Sequence, residues 1–469
     1  MKKLILSILA LLYLIPISIA QKTETSDFKV LPFGEAGQIK MLYDRRQRPQ
    51  SVYLNGKVHL VFNAGGEKGV PGKAKTKPMA ISYNLETAEF SYIVTLGPAK
   101  SDHHYAPVIW ADGDNYLHVL FGCHKTPGTH LISKKTGNIG TGLDDWKEAP
   151  EIAPSISYPT FYRISDHKEL MYYRTAGHIS SWTYRISDDN GESWIGPEKD
   201  VTDLDSKGRF EWSSYQCKLP GKDGRFLHVV FTAYDDNRQS EPERFYNSRY
   251  KKGVSNEWKY NLYYVKIDLQ TNEVTNFDGE KMSTPIDLDQ ANEKCIIWDT
   301  EGRGAGVPPD IVLDKNDHPA FLHILSEETT EDHNYYFVHR TNGKWEKTVI
   351  APSNHQWNGC HINLDKNGIY HAYLVVGDSY VGANYLNTGG YMDKHGGGRI
   401  EEWISSDMGS SWEKIQELTP DPSKYPGWKF NNIQPVTNPD GSVVEGMLLF
   451  YGWKDKDAPK AKAFLLIDN

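Results

Sequence analysis

The sequence predicts an all-β protein built as a seven-bladed β-propeller. A turn followed by a short apolar strand occurs seven times, at residues 56–62, 115–121, 168–173, 225–231, 318–324, 368–374 and 443–449. A repeat of about fifty residues with several strands in each repeat is typical of a propeller. The fourth-to-fifth and sixth-to-seventh intervals are longer than the others, which predicts inserted loops there.

Two segments support this fold independently of the repeat. Residues 187–194 and 405–412 both fit the Asp-box pattern S-x-D-x-G-x-[ST]-W. In this motif Asp and Gly form a hairpin turn, and Trp anchors the hairpin against its blade. Asp-boxes occur in sialidases, lyases and propellers without enzymatic activity, so they predict the fold and leave the function open.

The first twenty residues resemble a secretory signal. Lys2 and Lys3 precede an apolar run over 4–15, and 18–20 form a small-x-small cleavage site. The run is short for a membrane span, and no later segment resembles one. We therefore expect residues 1–20 to be a signal peptide and 21–469 to form a single propeller domain. The mature protein is expected in the medium, in the periplasm or at the cell surface.

The charge limits the classes of binding partner, and the cysteine content limits the role of disulfides. The formal net charge is −9, and no stripe of Lys and Arg stands out, which argues against nucleic acid as a partner. A protein this acidic must concentrate positive groups locally to bind an anionic polymer. The four cysteines are few and widely spaced, so the ring need not depend on disulfides. We expect a monomer.

Polar and aromatic residues mark one mouth of the predicted ring. The first strand of a blade begins where the antiparallel second strand ends, so both positions lie at the same mouth. Three neighbouring blades carry such residues there, namely His104, His124, Tyr158, Arg174, Tyr215 and Tyr234. Each has an ordinary structural explanation by itself, such as a solvated histidine or a stacked arginine. Their convergence at one mouth predicts a functional site.

This set of residues fits β-elimination from a uronic-acid polymer better than hydrolysis. Arg174 can grip the C6 carboxylate bidentately and make the C5 proton more acidic. His and Tyr side chains can then remove that proton and protonate the departing O4. A glycoside hydrolase needs a carboxylate pair, and a sialidase needs a Tyr nucleophile with three arginines. Residues 162–165 come closest to the sialidase arginine motif, but they lack its proline.

Several segments of the chain resemble the β-propeller ulvan lyases of the BNR-repeat superfamily, of the type classed in lyase families 24 and 25. They are 102–107, 121–124, 157–159, 173–174 with the Asp-box that follows, and 261–264. The similarity is strongest between residues 100 and 270. It implies seven blades, endo-type cleavage between a sulfated rhamnose and a uronic acid, and an unsaturated uronate product.

The resemblance also implies roles for individual residues. It makes His104 and His124 a catalytic histidine pair, Tyr158 the catalytic tyrosine and Arg174 the group that neutralises the carboxylate. Tyr215 is implied to contact the substrate, and we expect the same of Tyr234. His103 is the alternative to His104 and is otherwise expected to bind substrate.

The expected chemistry requires no cofactor, and a structural metal ion is left open. Relatives carry His-Pro where this chain has Tyr234-Asp235-Asp236, so the family's structural zinc site is not supported. Cys295, Cys360 and His361 are candidate zinc ligands, although buried thiols are the simpler interpretation. Calcium bound by acidic loops is an equally open alternative.

The sequence thus predicts an exported lyase that acts on a sulfated, uronate-containing algal polysaccharide, ulvan. Arg174 with one histidine is expected to neutralise the carboxylate. Tyr158 or His124 is expected to remove the C5 proton, and Tyr158 or His104 to protonate the leaving oxygen. Two alternatives are a sialidase-like glycoside hydrolase and a carbohydrate-binding propeller without catalytic activity.

Overall fold

The computed structural model of the protein describes residues 28–37, 42–65, 75–208, 212–235, 246–254, 258–353, 355–377, 396–454 and 461–468. The predicted signal peptide lies outside these ranges. So does 378–395, which is part of the long interval between the sixth and seventh repeats where an inserted loop is predicted. Within the described ranges, no helix has the length and apolar character needed to cross a membrane.

Strands dominate the described residues, which confirms the all-β prediction. In chain order they are β1 (Lys29–Gly37), β2 (Ser51–Leu54), β3 (Lys57–Ala64), β4 (Lys77–Asn84), β5 (Glu89–Phe90), β6 (Val94–Thr95), β7 (Val108–Ala111), β8 (Leu117–Phe121), β9 (His124–Thr126), β10 (Thr129–Ser133), β11 (Trp146–Glu148), β12 (Ile156–Ser165), β13 (Lys168–Arg174), β14 (Trp182–Ser187), β15 (Trp212–Pro220) and β16 (Phe226–Asp235). They continue as β17 (Tyr246–Asn247), β18 (Lys252–Gly253), β19 (Lys259–Asp268), β20 (Val274–Thr275), β21 (Ile296–Trp298), β22 (Asp310–Leu313), β23 (Pro319–Ser326), β24 (His333–Thr341), β25 (Lys344–Pro352), β26 (Cys360–Leu364), β27 (Tyr370–Val376), β28 (Arg399–Ser405), β29 (Glu413–Glu417), β30 (Lys429–Thr437), β31 (Val443–Trp453) and β32 (Ala461–Ile467).

Helical structure in the described residues is confined to single turns. Two are 3₁₀ turns, His103–Tyr105 and Leu143–Asp145. A third, Leu288–Gln290, is α-helical and continues as a π-helical turn over Ala291–Cys295.

The strands form small, mainly antiparallel sheets. Sheets of four or five strands comprise β7, β8, β10 and β11; β9 and β12–β14; β15, β16 and β19–β21; β22–β25; and β26–β29. A nine-stranded sheet joins β30, β31, β32 and β1 to β2–β6 through one parallel contact, between Val52 and Thr437. Strands β17 and β18 form a separate hairpin. In the nine-stranded sheet β1 pairs with β32, the last strand in the chain.

The seven apolar phrases in the sequence are the second strands of these units: β3, β8, β13, β16, β23, β27 and β31. Every residue of β8 and of β23 is buried. A strand covered on both faces reads as a continuous apolar run and not as an alternating one. That burial explains why the sequence pattern was easy to detect.

Neighbouring sheets pack face to face through apolar side chains. Trp110 of β7 stacks on Phe161 of β12, with ring centroids 3.7 Å apart. Similar buried clusters join each sheet to the one that follows it in the chain. Phe62 of β3 and Leu449 of β31 share another cluster, so the last unit also packs on the first.

The segment before β2, residues 42–50, enters the space between the first strands of the sheets. Its Leu42, Tyr43 and Asp44 are buried. Arg48 N donates to Pro159 O, and Phe161 N donates to Arg48 O, both at 3.0 Å, so the segment pairs with β12. The sequence pattern did not predict this insertion, which lies before the first repeat.

Both Asp-boxes form the expected hairpin turns. Asp189 accepts hydrogen bonds from Ser187 Oγ at 2.8 Å and from Ser193 N at 2.9 Å. Trp194 Nε1 donates to Gly191 O at 3.1 Å, and its ring meets Phe161 edge to face at 6.0 Å. The second box repeats the arrangement around Asp407. These residues stabilise hairpins and lie outside the predicted site.

Replacing Trp194 by Ala should lower stability without a direct effect on chemistry. The variant loses the bond to Gly191 O and the contact with Phe161, so we expect the free energy of unfolding to fall by about 1–3 kcal/mol. Urea unfolding measures this change. Ile195→Ala is the matched control, because Ile195 is 75% exposed and should be nearly neutral. Equal stability of Trp194→Ala and wild type would contradict the anchoring role.

Acid should destabilise the fold through buried histidines. Burial lowers the pKa of His59, His228 and His333 to about 4, and of His130 and His323 to about 3. Unfolded histidines take up protons near pH 6.5, so the unfolded state binds more protons between that pH and the folded pKa. The contribution of these histidines to the free energy of unfolding is therefore fully present above about pH 6.5 and is lost as the pH falls towards about 4.

Urea unfolding across that pH range tests this expectation. His323→Leu should weaken the pH dependence, because it removes a buried histidine whose two ring nitrogens have no hydrogen-bond partner in the described part of the chain. His318→Gln is the control, since His318 is 70% exposed. An unchanged slope in His323→Leu would contradict the assignment.

Candidate active site

Tyr158 lies at a bulge in β12, beside the inserted segment. The pairing of β12 with β13 jumps from Ser157 to Thr160, and Tyr158 between them has a φ of 53°. A bulky residue rarely adopts this left-handed conformation, and such strain concentrates at functional sites. A bulge also re-aims the side chain that it carries. The local backbone is therefore built to present this tyrosine.

Two histidines stack beside Tyr158. His104 follows Asp102, whose carboxylate accepts from His104 N at 3.0 Å and contacts His104 Nδ1 at 2.5 Å. His124 begins β9, which leaves the sheet of β8 and pairs with β12 opposite Ser157. The two imidazole rings are stacked with centroids 4.0 Å apart, and the His104 ring lies 5.5 Å from that of Tyr158.

Both imidazoles are neutral near pH 7. Burial lowers the pKa of His124 to about 4, with a smaller effect from His104. Burial also lowers the pKa of His104, although Asp102 opposes this shift. Because the Asp102 carboxylate accepts a hydrogen bond from the Nδ1–H group of His104, Nε2 of that ring keeps its lone pair and can accept a proton.

Arg174, the last residue of β13, lies against the same tyrosine. Its Cζ is 4.6 Å from the Tyr158 ring centroid and 5.4 Å from that of Tyr215. The side chain is 0% exposed, and Nε and both Nη atoms have no hydrogen bond of normal geometry within the described residues. Desolvation opposes its charge, but the phenols of Tyr215 and Tyr158 keep its pKa above the usual value.

The burial of Arg174 corrects one expectation. The sequence placed it at an open mouth, outside the core, because it ends a second strand. In the structure the guanidinium is enclosed, because aromatic rings from β12 and β15 lie beside it. A buried cation with unused donors is a receptor for an anion.

The phenols form the other half of the cluster. The hydroxyls of Tyr158 and Tyr215 are 3.2 Å apart, and the Tyr215 ring stacks on Tyr234 at 5.2 Å. The Tyr234 hydroxyl also lies 3.3 Å from His178 Nδ1. Tyr158, Tyr215 and Tyr234 are all buried. Burial raises the pKa of Tyr158 well above its usual value, so this phenol is protonated near pH 7.

The structure thus brings together His104, His124, Tyr158, Arg174, Tyr215 and Tyr234. His103 begins the 3₁₀ turn that carries His104, and its side chain lies outside the described part of the chain. The neutral imidazoles can accept protons, Tyr158 can donate one, and Arg174 can bind a carboxylate.

Sequence reasoning missed three charged residues at this cluster. Arg46 Cζ lies 4.7 Å from the Tyr158 ring centroid, and Asp44 pairs with Arg46 at 2.5 Å. Lys259 Nζ is 4.8 Å from the Tyr215 ring centroid and donates to Gly306 O. The three arginines at 45, 46 and 48 in an acidic chain were a usable signal for Arg46. No comparable pattern marked Lys259.

One group in the described residues has the composition of a metal site. The ligand atoms of Asp102, His104 and His124 lie within 4.8 Å of one another. The Asp102 carboxylate already orients His104, which suits an acid–base pair as well as a metal ligand. Cys295, Cys360 and His361 do not form such a group in the described residues, and His361 Nδ1 instead contacts Asp310 at 2.8 Å. All four cysteines are buried free thiols.

A cavity of about 420 Å³ lies farther along the same first strands. Its lining includes 161–164 of β12 and 218–220 of β15, which follow Tyr158 and Tyr215 along those strands. None of the six clustered residues lines it. We therefore identify the candidate site by its chemical groups and not by cavity volume.

Comparison with known proteins gives a family. Residues 73–353 match the model described as BNR repeat-containing family member. An ulvan lyase of Nonlabens ulvanivorans is 24% identical over 64% of this chain and 64% of its own length. An ulvan lyase of Alteromonas sp. (strain LOR) is 23% identical over 54% of this chain and 53% of its own length. The chain thus spans less than two thirds of either relative.

A solved structure shares the fold. A polysaccharide lyase titled PL25-Ulvanlyase superposes with a TM-score of 0.70 at 17% identity, covering 93% of this chain and 96% of its own. The same lyase has also been solved bound to -[GlcA(1-4)Rha3S]-. At this identity the likeness extends to the fold alone. Since the family model covers more than half of the sequence, the chain belongs to the family of BNR repeat-containing proteins.

Proposed function

We propose that this protein is a polysaccharide lyase that cleaves ulvan by β-elimination. The observation that carries the proposal is the buried guanidinium of Arg174, which has no hydrogen bond of normal geometry within the described residues and lies in one cluster with the phenol of Tyr158 and the two imidazoles. This combination provides a receptor for a carboxylate, a proton acceptor and a proton donor in contact with one another. The product is an oligosaccharide that ends in a 4,5-unsaturated uronate.

The relatives support the substrate. Two of them are named ulvan lyases, and the PL25 lyase has been solved with a glucuronate–rhamnose sulfate unit. A uronate in the polymer would supply the carboxylate that Arg174 lacks. Arg46, Arg174 and Lys259 at the site also meet the need for local positive charge in a protein of formal charge −9.

We further infer that the sheets are the blades of a seven-bladed propeller. The nine-stranded sheet divides into two units joined only at Val52 and Thr437, which gives seven units with the five separate sheets. Each unit packs on the next, and the last packs on the first. We propose that 21–469 form this single domain, exported as a monomer after removal of 1–20.

The first step is carboxylate binding. Arg174 would donate hydrogen bonds from its N–H groups to the C6 carboxylate. The bound cation would withdraw electron density from C5, which makes the C5 proton more acidic. Its desolvated surroundings strengthen this interaction, because few water molecules compete for the guanidinium.

Proton transfer completes the elimination. His124 or His104, both neutral, removes the C5 proton, and the C5–H electron pair forms the C4=C5 double bond as the C4–O4 bond breaks. Tyr158, which is protonated near pH 7, donates its proton to the departing O4. Arg46 and Arg174 lie near the phenolate that remains. Solvent then returns the histidine and tyrosine to their starting states.

Incubation with purified ulvan tests the function directly. A lyase creates a 4,5-unsaturated uronate, which absorbs in the ultraviolet, and mass analysis identifies the shortened chains. A sialidase-like hydrolase would release reducing ends without the double bond, and a binding propeller would leave the polymer intact. Either of these outcomes would reject the lyase assignment.

Arg174→Met should lose activity while the fold is retained or becomes more stable. Removal of the carboxylate receptor should lower kcat/KM by roughly 10²-fold or more. Removal of a buried charge without a hydrogen-bond partner should not lower the melting temperature. Arg225→Met is the control, because this arginine pairs with Asp268 at the surface and should leave activity unchanged. Full activity in Arg174→Met would exclude Arg174 from the mechanism.

The enzyme should remain active at a lower pH than a catalytic base with the usual histidine pKa would permit. Because burial lowers the pKa of His124 to about 4, the imidazole of the free enzyme stays neutral below pH 6.5 and is lost as a base only as the pH approaches about 4. The pH profile of kcat/KM on ulvan measures this limb, with circular dichroism at each pH to confirm folding. A limb near pH 6.5 in folded protein would contradict the assignment.

A further inference from the structure

Arg46 is held in one position by its own segment. Asp44 Oδ1 accepts from Arg46 N at 3.0 Å and from Arg46 Nε at 2.8 Å, and Asp44 Oδ2 accepts from Arg46 Nη2 at 2.5 Å. Pairing of Arg48 with Pro159 and Phe161 fixes the backbone of this segment to β12. Asp44 thus holds the guanidinium at two nitrogens and the backbone at a third, which limits the freedom of the side chain and fixes the direction of Nη1.

Nη1 of Arg46 reaches Tyr215. Arg46 Nη1 donates to the Tyr215 hydroxyl at 3.2 Å, because a guanidinium carries no acceptor. The Tyr215 hydroxyl also lies 3.2 Å from the Tyr158 hydroxyl. Since Tyr215 oxygen accepts from Arg46, its own proton is available for Tyr158 oxygen. Tyr158 oxygen then acts as acceptor in this contact and keeps its own proton for another group.

We propose that Arg46 is a positioning residue that acts through Tyr215 to turn the proton of Tyr158 away from Tyr215 and towards the bound sugar. The proposal rests on the lyase function, because it assigns Tyr158 as the acid for the leaving oxygen. Without Arg46, the two phenols can exchange donor and acceptor roles, and in one of these arrangements the Tyr158 proton points at Tyr215 and is unavailable to O4.

The charges around Tyr158 favour the same role. Tyr158 faces Arg46 and Asp44 of the segment before β2, Arg174 of β13 and Tyr215 of β15. It also faces His104 of the 3₁₀ turn and His124 of β9. Asp44 is neutralised by its bonds to Arg46. The two guanidiniums lie 4.7 and 4.6 Å from the Tyr158 ring and stabilise the phenolate left after proton donation.

A purely structural role makes a different prediction. If Arg46 only secures the inserted segment, Arg46→Gln should lower stability, and it should lower activity through misfolding or weaker substrate binding. If Arg46 orients a proton, the loss should fall on kcat, and KM should change little. We expect kcat to fall on the order of 10- to 100-fold for a misdirected proton.

Three variants test this on purified ulvan with unfolding measured in parallel. Arg46→Gln should lose kcat, and Arg46→Lys, which retains a cationic donor, should recover part of it. Arg45→Gln is the matched control from the same segment, because Arg45 reaches Cys360 O at 3.4 Å and contacts neither phenol. Its kcat should remain close to wild type. Equal losses in Arg45→Gln and Arg46→Gln would overturn the proposal.

A double-mutant cycle tests whether Arg46 acts through Tyr215. Tyr215→Phe removes the connecting hydroxyl, so Arg46→Gln should cost little further kcat in that background. Additive losses would mean that the two residues act independently and would overturn the proposal.

A measurement without substrate separates this proposal from the lyase assignment. Carbon-13 at the phenol carbon of tyrosine reports its hydrogen bonding by NMR, and Tyr158→Phe and Tyr215→Phe assign the two signals. Arg46→Gln should move both signals at neutral pH, and Arg45→Gln should move neither. Unmoved signals would overturn the proposal even in an active lyase. Moved signals in a protein without lyase activity would reject the function and retain the orienting role of Arg46.

Discussion

The candidate site is built around the buried guanidinium of Arg174, for which the described residues provide no hydrogen bond of normal geometry. Among those residues Arg174 lies beside phenols and pairs with no carboxylate, although such burial normally costs several kcal/mol unless it is compensated. The neighbouring groups preserve this state. The imidazoles are neutral, Tyr158 is protonated, and the nearby carboxylates of Asp44 and Asp102 are occupied by Arg46 and His104. In the described part of the chain the cation is thereby left without a charge partner.

Local backbone departures bring the site together. The bulge at Tyr158 interrupts the β12–β13 ladder, and the chain crosses after β8 into the sheet of β12, where β9 places His124 beside that bulge. The segment before β2 pairs with β12 on the far side of the same interruption. Regular strands would have kept these side chains in separate sheets. The irregular positions are thus the ones that carry the candidate site, and bulges and strained residues often lie beside active sites.

The sequence predicted the strands and six of the clustered residues for the same physical reason. Buried second strands such as β8 and β23 are continuous apolar runs, so they mark the repeat, and the repeat places strand ends such as Arg174 and Tyr158 at one mouth. Arg46 and Asp44 were not predicted, because they precede the first repeat and have no register within it. Lys259 and the burial of Arg174 escaped because side-chain enclosure depends on neighbouring sheets, which no local pattern reports.

The pairing of β1 with β32 has a consequence for how the molecule forms. Tyr43 OH donates to Asn432 O across 389 residues of sequence, and β1 completes a sheet with strands from the opposite end of the chain. Contacts of such high contact order form slowly, because a long loop must close before they contribute. The segment that carries Arg46 directly follows β1. The tyrosines and histidines would therefore come together before Arg46 joins them, and the cluster would be complete only when β1 has paired with β32.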